Sequence, residues 1–327
     1  MEATMKISAQ GLSMTEGTMK YMPPGAEHSL YRNGKVYMQR DASGDDSTWV
    51  GTDLVDHVMT IGDARSLTQN QRKTLAANGF ELINTPLGDD GDFFDASWLV
   101  NSYYPECEAI VRKITGAKTV KAFDHNIRSA QGKNSKERLN NGQNVQGPVH
   151  VVHGDYTLTS SLDRLRQLCE PPRINDTYAK NFLPGQTLLD PEETESAIRN
   201  GRVAIINLWR SIAPEPVEVN PLAVCDSTSV IPEDLVVFEI RYADRIGENY
   251  FVKYSPSHNW WFYPRMNRNE ALLIKQWDSH GGLAKSQGSE SDADLSTFSF
   301  HTAFEDPKTR DDAPDRRSIE VRCAVIY

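Results

Sequence analysis

Short apolar runs separated by polar turns dominate the chain from residue 149 onward. Each run has a length typical of a β-strand and is rich in Val, Ile, Leu or aromatic residues. The predicted strands are 149–156, 203–209, 223–224, 235–242, 250–254, 260–263, 271–277 and 318–327. Two predicted helices, 160–169 and 190–200, interrupt them, and Asp190-Pro191 is a favourable helix start. Many short strands with few helices favour a β-sandwich or barrel over a βαβ sheet.

The first part of the chain shows a more mixed pattern. The predicted elements there are short extended pieces over 1–60 with a hairpin at Asn33-Gly34, helices over 63–80 and 98–115, and a strand over 120–123. Asp63 is a candidate cap of the first helix. Two long polar segments, 129–147 and 278–297, are predicted to be surface loops.

The segments do not separate into two cores. We see no linker, so we expect one domain over 1–327. Within it, residues 1–120 form a helical and extended part that packs on a β core of residues 120–327. The fold class is therefore mainly β with flanking helices.

Composition and charge narrow the classes of partner. Of the 327 residues, 39% are hydrophobic and 24% are charged, which suffices for a sizeable core. The 35 Lys and Arg against 45 Asp and Glu give a formal charge of −10, and such a chain repels nucleic acid. No apolar segment reaches the ~20 residues of a membrane span, and no signal peptide is visible. We expect a cytoplasmic monomer or homodimer that acts on a small molecule.

The four cysteines do not suggest a disulfide framework. Cys107, Cys169, Cys225 and Cys323 are far apart in the sequence, and none forms a CxxC pair. We expect reduced cysteines that behave as small buried side chains.

One histidine and one aspartate stand together in the predicted strand 149–156. Side chains alternate between the faces of a strand, so His153 and Asp155 project to the same side. A second histidine from a distant strand would complete a 2-His-1-carboxylate set that leaves positions open on a divalent metal. His301, which lies in the apolar run 298–304, is the candidate. The His-x-Asp pair taken alone is a weak signal, because a surface histidine beside a turn aspartate is the commoner origin of such a pair.

A candidate anion site opens the last predicted strand. Arg316 and Ser318 share one face of that strand. A guanidinium binds a carboxylate with two parallel hydrogen bonds, so this pair suits the distal carboxylate of a 2-oxoglutarate whose other end chelates the metal. Glu320 and Arg322 lie on the same face and are expected to form an ion pair, whereas Arg317 points to solvent.

Further segments accompany these residues. They are Asp124-His-Asn-Ile-Arg128, Asn207-Leu-Trp-Arg210, Pro221-Leu-Ala-Val-Cys-Asp226, Glu270-Ala-Leu-Leu-Ile-Lys-Gln276, Asp278-Ser279, Asp306-Pro307 and Arg316-x-Ser-Ile-Glu-Val-Arg322. With the His-x-Asp segment and His301, they make residues 120–327 resemble the mostly fungal hydroxylase/desaturase family of Fe(II)/2-oxoglutarate-dependent oxygenases. That family includes gibberellin desaturase and resembles the cephamycin methoxylation proteins. Gly154 departs from a commonly bulkier residue, and the segment before His301 is long.

The resemblance implies a fold, a chemistry and a set of site residues. The implied fold is a double-stranded β-helix, a jelly-roll or cupin-like core. The implied cofactors are Fe(II), 2-oxoglutarate and O₂, used for hydroxylation, desaturation or oxidative cyclisation of a small molecule in secondary metabolism. His153, Asp155 and His301 would bind iron, and Arg316 and Ser318 would bind 2-oxoglutarate.

Five more polar residues are candidates for ligand contacts. Lys275 is a candidate further cation near the co-substrate. His125, Arg128, Asn207 and Arg210 are candidate substrate contacts, each with a structural alternative such as a hydrogen-bonded turn or an ion pair at the barrel rim. Asn207 and Arg210 are three residues apart, so they cannot both face inward on a regular strand.

Two other functional classes are compatible with the sequence. One is a cupin-type metalloenzyme that does not use 2-oxoglutarate, and the other is a barrel that binds a small molecule without turnover. O₂ uptake that depends on 2-oxoglutarate would exclude the first, and metal binding would argue against the second. The polar segments before His153 and His301 lead into the candidate metal site, so we expect them to close over it as lids.

Overall fold

The described structure contains fifteen strands in two sheets. The computed structural model describes residues 12–40, 46–88, 91–140, 143–173, 176–242, 245–286 and 295–327. The strands are β1 (Met14–Tyr21), β2 (Tyr37–Arg40), β3 (Asp46–Val50), β4 (Val55–Asp63), β5 (Phe80–Asn84), β6 (Thr119–Arg128), β7 (His153–Gly154), β8 (Val203–Ser211), β9 (Leu222–Cys225), β10 (Leu235–Arg241), β11 (Ile246–Val252), β12 (Trp260–Phe262), β13 (Glu270–Asp278), β14 (His301–Ala303) and β15 (Ser318–Ile326). One sheet has the order β5-β13-β8-β15-β6, and the other has the order β1-β4-β12-β9-β14-β7-β11-β10-β2-β3.

The helices begin and end where the sequence offers suitable caps. They are α1 (Ala96–Trp98), α2 (Tyr104–Thr115), α3 (Ala130–Asn134), α4 (Ser160–Gln167), α5 (Pro191–Asn200) and α6 (Gly282–Lys285). A π-helical turn joins α1 to α2, which confirms the helix predicted over 98–115. The α2 helix ends at Gly116, whose φ of 69° favours a residue without a Cβ. Asp190 caps α5 by accepting from the Glu193 amide, as its sequence predicted.

Strand β8, at the centre of the five-stranded sheet, shows how the sequence builds two apolar layers. All nine of its residues are buried, and both neighbours run antiparallel to it. Ile206 and Leu208 face one side, where they pack against α2 residues such as Cys107. Val203 and Ile205 face the other side and join the aromatic core shared with the ten-stranded sheet. Two sheets facing each other, with a helix on the outer face, confirm the predicted jelly-roll core.

The two strands that carry the charged motifs lie side by side. Strand β15 pairs with β6 so that Ser318 is opposite Arg128 and Arg322 is opposite Asp124. Side chains directly opposite each other on a ladder project to the same face. The polar residues of both strands therefore share one face, on which the site described below is built.

The predicted strand 149–156 is shorter than expected. Only His153 and Gly154 form the strand β7, and Val151 makes an isolated bridge to Lys20. A Cβ on Gly154 would lie 3.1 Å from the ring of Phe300, so a larger residue here would crowd the segment that leads into β14. The other strands predicted from residue 203 onward, and the helices predicted over 160–169 and 190–200, are present with shifted ends.

The helix predicted over 63–80 is wrong. The segment forms two single 3₁₀ turns, and Phe80 begins β5. Lys73 and Asn78 both bond to the buried carboxylate of Asp226, at 2.9 Å each. These tertiary contacts and the pairing of β5 with β13 outweigh the weak local preference that the apolar spacing represents.

The hairpin predicted at Asn33-Gly34 is also wrong. Gly34, with a φ of 73°, lies in a bend before β2, and its amide donates to Glu239 at 2.7 Å. Strand β2 pairs instead with β3 and, in parallel, with β10. A side chain from a distant strand thus fixes a turn whose residues suggested a local hairpin.

The two polar segments are only partly loops. Residues 129–147 contain α3 and bury Gly132, Leu139 and Val145, so the predicted plain surface loop is wrong. The segment 278–297 contains α6. Residues 141–142 and 287–294 lie outside the described residues. The lid role of both segments stays a prediction, as does the assignment of residues 1–327 to one domain in which 1–120 pack on a core of 120–327.

The cysteines agree with the expectation of reduced and mostly buried side chains. All four cysteines are free, and Cys107, Cys225 and Cys323 are buried. Among the described residues, no helix is both long and apolar enough to cross a membrane. A cytoplasmic location and a monomeric or homodimeric state stay predictions.

Candidate metal centre and active site

Two histidines lie opposite each other on neighbouring strands of the ten-stranded sheet. Strand β14 pairs antiparallel with β7, with His301 in register with His153, and the ring centroids are 4.4 Å apart. Asp155 follows β7 directly, and its Oδ1 lies 3.7 Å from Nε2 of His153. The ligand atoms of the three residues lie within 4.8 Å of one another. This donor set fits a divalent metal with open coordination positions.

The histidines are held in the state that binds a metal. Nδ1 of His153 lies 2.8 Å from the Val151 carbonyl. A carbonyl only accepts, so Nδ1 carries the proton and Nε2 presents its lone pair toward Asp155. Burial lowers the pKa of His153 to about 4 and also lowers the pKa of His301. Both imidazoles are therefore neutral near pH 7.

The Asp155 carboxylate has one oxygen bound by protein and one facing His153. Its Oδ2 accepts from Nδ2 of Asn207 at 2.9 Å and from Nε of Arg322 at 3.2 Å. Its backbone amide donates to Gln276 at 3.1 Å. Burial would raise the pKa of Asp155, but the Arg322 guanidinium and the two imidazoles hold it well below its usual range. Asp155 is thus an ionised, oriented ligand.

A narrow cavity adjoins the two histidines, and we call it the inner cavity. It is lined by Arg128, Val149, His153, Trp209, Leu222, His301, Thr302, Ala303, Arg316 and Glu320. Nη1 of Arg316 donates to the Asn220 carbonyl. Nε of Arg316 and Oγ of Ser318 are buried and have no hydrogen-bond partner among the described residues. Burial lowers the pKa of Arg316 to about 9. These unused donors beside a desolvated cation fit a carboxylate.

Asp155 also lines a wider cavity of about 720 Å³, which we call the outer cavity. Six arginines and five carboxylates lie in its wall, so it presents both signs of charge. They are Arg32, Arg40, Arg164, Arg173, Arg245, Arg322, Asp124, Asp155, Asp163, Asp176 and Glu248. Phe123, Ile240 and Ile246 contribute smaller apolar parts.

Two of the predicted substrate contacts lie near the metal ligands, in other roles. Asn207 orients Asp155 instead of lining either cavity among the described residues. Arg128 lines the inner cavity, and its Nη1 donates to the Gly147 carbonyl at 3.0 Å.

The structure does not bring Lys275, Arg210 or His125 to the described walls of either cavity. Lys275 is buried, its ammonium lies 3.0 Å from Asp278, and it donates to the Ser296 carbonyl at 2.9 Å. That local ion pair occupies its charge, so the expected contact with the co-substrate is not supported.

Arg210 and His125 serve the packing of α2. Nη1 of Arg210 donates to two loop carbonyls at 2.9 and 3.0 Å, and its Nη2 lies 3.4 Å from Glu106 of α2. Nδ1 of His125 lies 2.7 Å from the hydroxyl of Tyr104, also on α2. Both residues are fully buried on the outer side of the sheet, which corrects the expected substrate contacts.

Sequence reasoning missed Gln276 and Asp124 and gave Arg322 too small a role. The predicted ion pair of Arg322 with Glu320 is present at 3.4 Å, but Arg322 also lies 3.0 Å from Asp124 and 3.2 Å from Asp155. The two-residue alternation of a strand puts Asp124 and Arg128 on one face of β6 and His125 on the other. That signal was available in the sequence, whereas nothing local marked Gln276.

Comparison with known proteins identifies the family. The family described as the oxidoreductase/YMDC permease-like domain matches residues 19–326. The chain belongs to this family. A family-related protein of Methylophilus leisingeri, an uncharacterised protein in the dcmA 3' region, is 44% identical over 200 residues, which cover 60% of this chain and 90% of that protein. The alpha-ketoglutarate-dependent dioxygenase tstK of Talaromyces stipitatus is 28% identical over 317 residues, which cover 92% of this chain and 99% of tstK.

A solved structure has the same fold. The iron and alpha-ketoglutarate-dependent endoperoxidase NvfI matches with a TM-score of 0.70 at 21% identity, over 97% of this chain and 99% of that chain. The relatives of the family include proteins named as Fe(II)/2-oxoglutarate-dependent dioxygenases and as hydroxylase/desaturases, which confirms the resemblance found in the sequence. The protein is an enzyme of this dioxygenase class.

Proposed function

We propose that His153, Asp155 and His301 hold Fe(II), and that the protein uses 2-oxoglutarate and O₂ to hydroxylate, desaturate or oxidatively cyclise a small molecule of secondary metabolism. The observation that carries this proposal is the set of two neutral imidazoles in register with a carboxylate oxygen facing them. When bound in such a set, Fe(II) supplies the O₂ activation that couples decarboxylation of 2-oxoglutarate to oxidation of a substrate C–H bond.

The residues around the triad orient its ligands. Asn207 and Arg322 occupy one oxygen of Asp155, so the other oxygen stays directed at the metal position. The Val151 carbonyl fixes the tautomer and ring of His153 in the same way. Such supporting hydrogen bonds keep the open side of the metal in a constant position relative to both cavities.

Arg316 and Ser318 are the proposed anchor of the distal carboxylate of 2-oxoglutarate. The buried Nε of Arg316 and Oγ of Ser318 are donors without a partner among the described residues. A carboxylate in the inner cavity would accept from both and would neutralise a guanidinium that burial otherwise destabilises. His301 and His153 line the same cavity, so the keto end of the molecule would reach the metal.

The outer cavity is the proposed substrate site. Its wall carries arginines and carboxylates in nearly equal number. A purely apolar molecule would cover these groups without offering hydrogen bonds, which costs free energy. We therefore propose a polar small-molecule substrate that carries charged or hydrogen-bonding groups.

The experiment is a turnover assay of the purified protein loaded anaerobically with Fe(II). O₂ uptake and succinate are measured with 2-oxoglutarate against a set of polar and apolar compounds. We expect uptake that requires 2-oxoglutarate, and succinate that matches product for a polar substrate. Metal binding with uptake independent of 2-oxoglutarate would favour a cupin-type metalloenzyme. A protein that binds no metal would favour a barrel without turnover.

A further inference from the structure

Two guanidinium groups, rather than one, face the inner cavity. Arg128 and Arg316 both line it, together with a single carboxylate, Glu320. Two cations beside one anion give the cavity an excess of positive charge, and burial makes that excess costly unless an anion binds. Arg316 and Ser318, in their proposed role, account for only one of the two carboxylates of 2-oxoglutarate. The second guanidinium therefore needs its own explanation.

We propose that Arg128 binds the C1 carboxylate of 2-oxoglutarate, the one next to the metal. This inference rests on the proposed function and adds a second recognition residue to it. It also replaces the substrate contact expected for Arg128 from the sequence, because Arg128 is not among the described residues that line the outer cavity.

The strand register places Arg128 beside the distal anchor, on the face of the sheet that carries the site. Along β15 the residues on the site face run from Ser318, two residues after Arg316, to Arg322, which reaches Asp155 at 3.2 Å. Arg128 lies on β6 directly opposite Ser318. Its side chain lines the inner cavity together with Arg316, His153 and His301. Arg128 is therefore the cation of this cavity that the distal anchor leaves for the carboxylate at the metal end.

The electrostatics of the cavity agree with this position. Arg128 and Arg316 line the same cavity, so their positive charges repel each other in a buried site. After burial, the charge of Arg128 is the largest influence that lowers the pKa of Arg316. A bound dianion with one carboxylate for each guanidinium would relieve that repulsion.

The chemistry of the C1 carboxylate explains why a guanidinium suits this place. A carboxylate that chelates the metal beside Asp155 brings a second negative charge next to an ionised one. Arg128 offsets that repulsion, and its planar N–H groups can hold a carboxylate by two hydrogen bonds. The bond from Nη1 to the Gly147 carbonyl fixes the guanidinium in the cavity wall before the ligand enters.

The test compares two ligands that differ only at the distal end. The first is 2-oxoglutarate, and the second is 2-oxopentanoate, which keeps the C1 carboxylate and the keto group but has a methyl group in place of the C5 carboxylate. Both are titrated anaerobically into the full-length Fe(II) protein, and binding is followed by calorimetry and by the visible charge-transfer absorption of the chelated metal. The variants are Arg128→Gln, Arg316→Gln and the exposed control Arg317→Gln.

We expect Arg128→Gln to weaken both ligands by the same factor, about 10- to 100-fold for one charge-assisted contact. The preference for 2-oxoglutarate over 2-oxopentanoate should remain in that variant. Arg316→Gln should instead weaken 2-oxoglutarate alone and abolish the preference, while Arg317→Gln should match the wild type. Fe(II) affinity, measured by competition with a chelator, should be unchanged in Arg128→Gln.

Two results would overturn the assignment of Arg128. Unchanged binding of both ligands would remove Arg128 from the co-substrate site, and a loss confined to 2-oxoglutarate would move it to the C5 carboxylate. Arg128→Lys keeps the charge without the planar fork, so it decides the question if the Gln variant does not fold, with an expected smaller loss that is equal for both ligands. If the wild type itself binds neither ligand, the proposed function fails, and this outcome is distinct from a failure of Arg128.

Discussion

The inner and outer cavities are both lined by residues of the His153, Asp155 and His301 triad, but their walls are built differently. The inner cavity is narrow, and its charged residues are Arg128 of β6, Glu320 near the start of β15, and Arg316, two residues before β15. The outer cavity is about 720 Å³ in volume, and its wall draws on loops and helices as well as strands. Strands hold side chains more rigidly than loops do.

This difference in construction suits the two cavities to two kinds of ligand, a co-substrate of constant shape and a substrate that varies between enzymes. A co-substrate of constant shape suits a cavity whose donors are set by one strand register, Ser318 opposite Arg128. A substrate that differs from one enzyme to another suits a wall made from loops, since loops tolerate change without disturbing the core. The two cavities meet at the proposed metal site, because Asp155 lines the outer cavity and the two histidines line the inner cavity.

The largest expected effect comes from replacing Asp155, which lies where the two cavities meet. Asp155→Ala should abolish Fe(II) binding and reduce turnover of 2-oxoglutarate below detection, because one of three ligands and its charge are lost. Iron titration and succinate release measure the two effects. Asp163→Ala removes another carboxylate of the outer cavity and should keep iron binding. Wild-type iron affinity in Asp155→Ala would exclude Asp155 from the triad.

Replacing Arg316, the proposed distal anchor, should weaken 2-oxoglutarate binding without changing Fe(II) binding. Arg316→Ala should raise the dissociation constant of 2-oxoglutarate by a factor equivalent to about 2–5 kcal/mol, because a buried carboxylate loses its charged partner. The Fe(II) affinity should stay the same. Calorimetric titration checks the first effect and chelator competition the second. An equal loss of iron affinity would show that Arg316 supports the triad instead of the co-substrate.

A smaller effect is expected from Arg322, which donates to Asp155 and also lines the outer cavity. Arg322→Gln should weaken Fe(II) binding by about 10- to 100-fold, the usual cost of losing a supporting partner of a metal ligand. Arg164→Gln, which removes an outer-cavity arginine that pairs with Asp176 at 3.3 Å, is the matched control. Chelator competition distinguishes them, and equal iron affinities in the two variants would contradict the orienting role of Arg322.

The smallest effect is expected on stability and comes from His125, which lies on the face of β6 that points away from the cavities. Burial lowers the pKa of His125 to about 4, below the usual value of 6.5. The unfolded chain therefore takes up the proton first, so the stability from neutral His125 is complete above pH 6.5 and is lost as the pH falls toward 4. The loss amounts to at most about 3 kcal/mol.

Urea unfolding of the metal-free protein between pH 4 and pH 7 measures this loss. The His125→Gln variant should show a weaker dependence of the unfolding free energy on pH than the wild type. The exposed His28→Gln variant is the control and should follow the wild-type dependence. Identical pH dependence in His125→Gln and the wild type would mean that His125 is not held neutral by burial.

The proposed triad and the proposed distal anchor could be named from the sequence because local patterns define them. His153 and Asp155 are two residues apart, and Arg316 and Ser318 follow the same alternation at the last strand. The mainly β fold was predictable for a similar reason, since six of the nine residues of β8 are apolar.

The remaining site residues depend on tertiary contacts that no local pattern contains. Lys275 and Arg210 looked like free cations in the sequence, but the fold supplies each with a partner, Asp278 and Glu106 respectively. Gln276 reaches the Asp155 amide only because the sheet that contains β13 packs against the sheet that contains β7. The failed helix over 63–80 has the same origin, since the pairing of β5 with β13 replaced it.

The metal site shared by the two cavities is tested most directly by anaerobic titration of Fe(II), and then of 2-oxoglutarate, into the wild type and the His301→Ala variant. We expect the wild type to bind one Fe(II) per chain and then one 2-oxoglutarate per iron, with a visible charge-transfer absorption. The His301→Ala variant should show neither the tight iron binding nor the absorption. Stoichiometric iron in the wild type without that absorption, or an unchanged titration in His301→Ala, would contradict the site built from His153, Asp155 and His301.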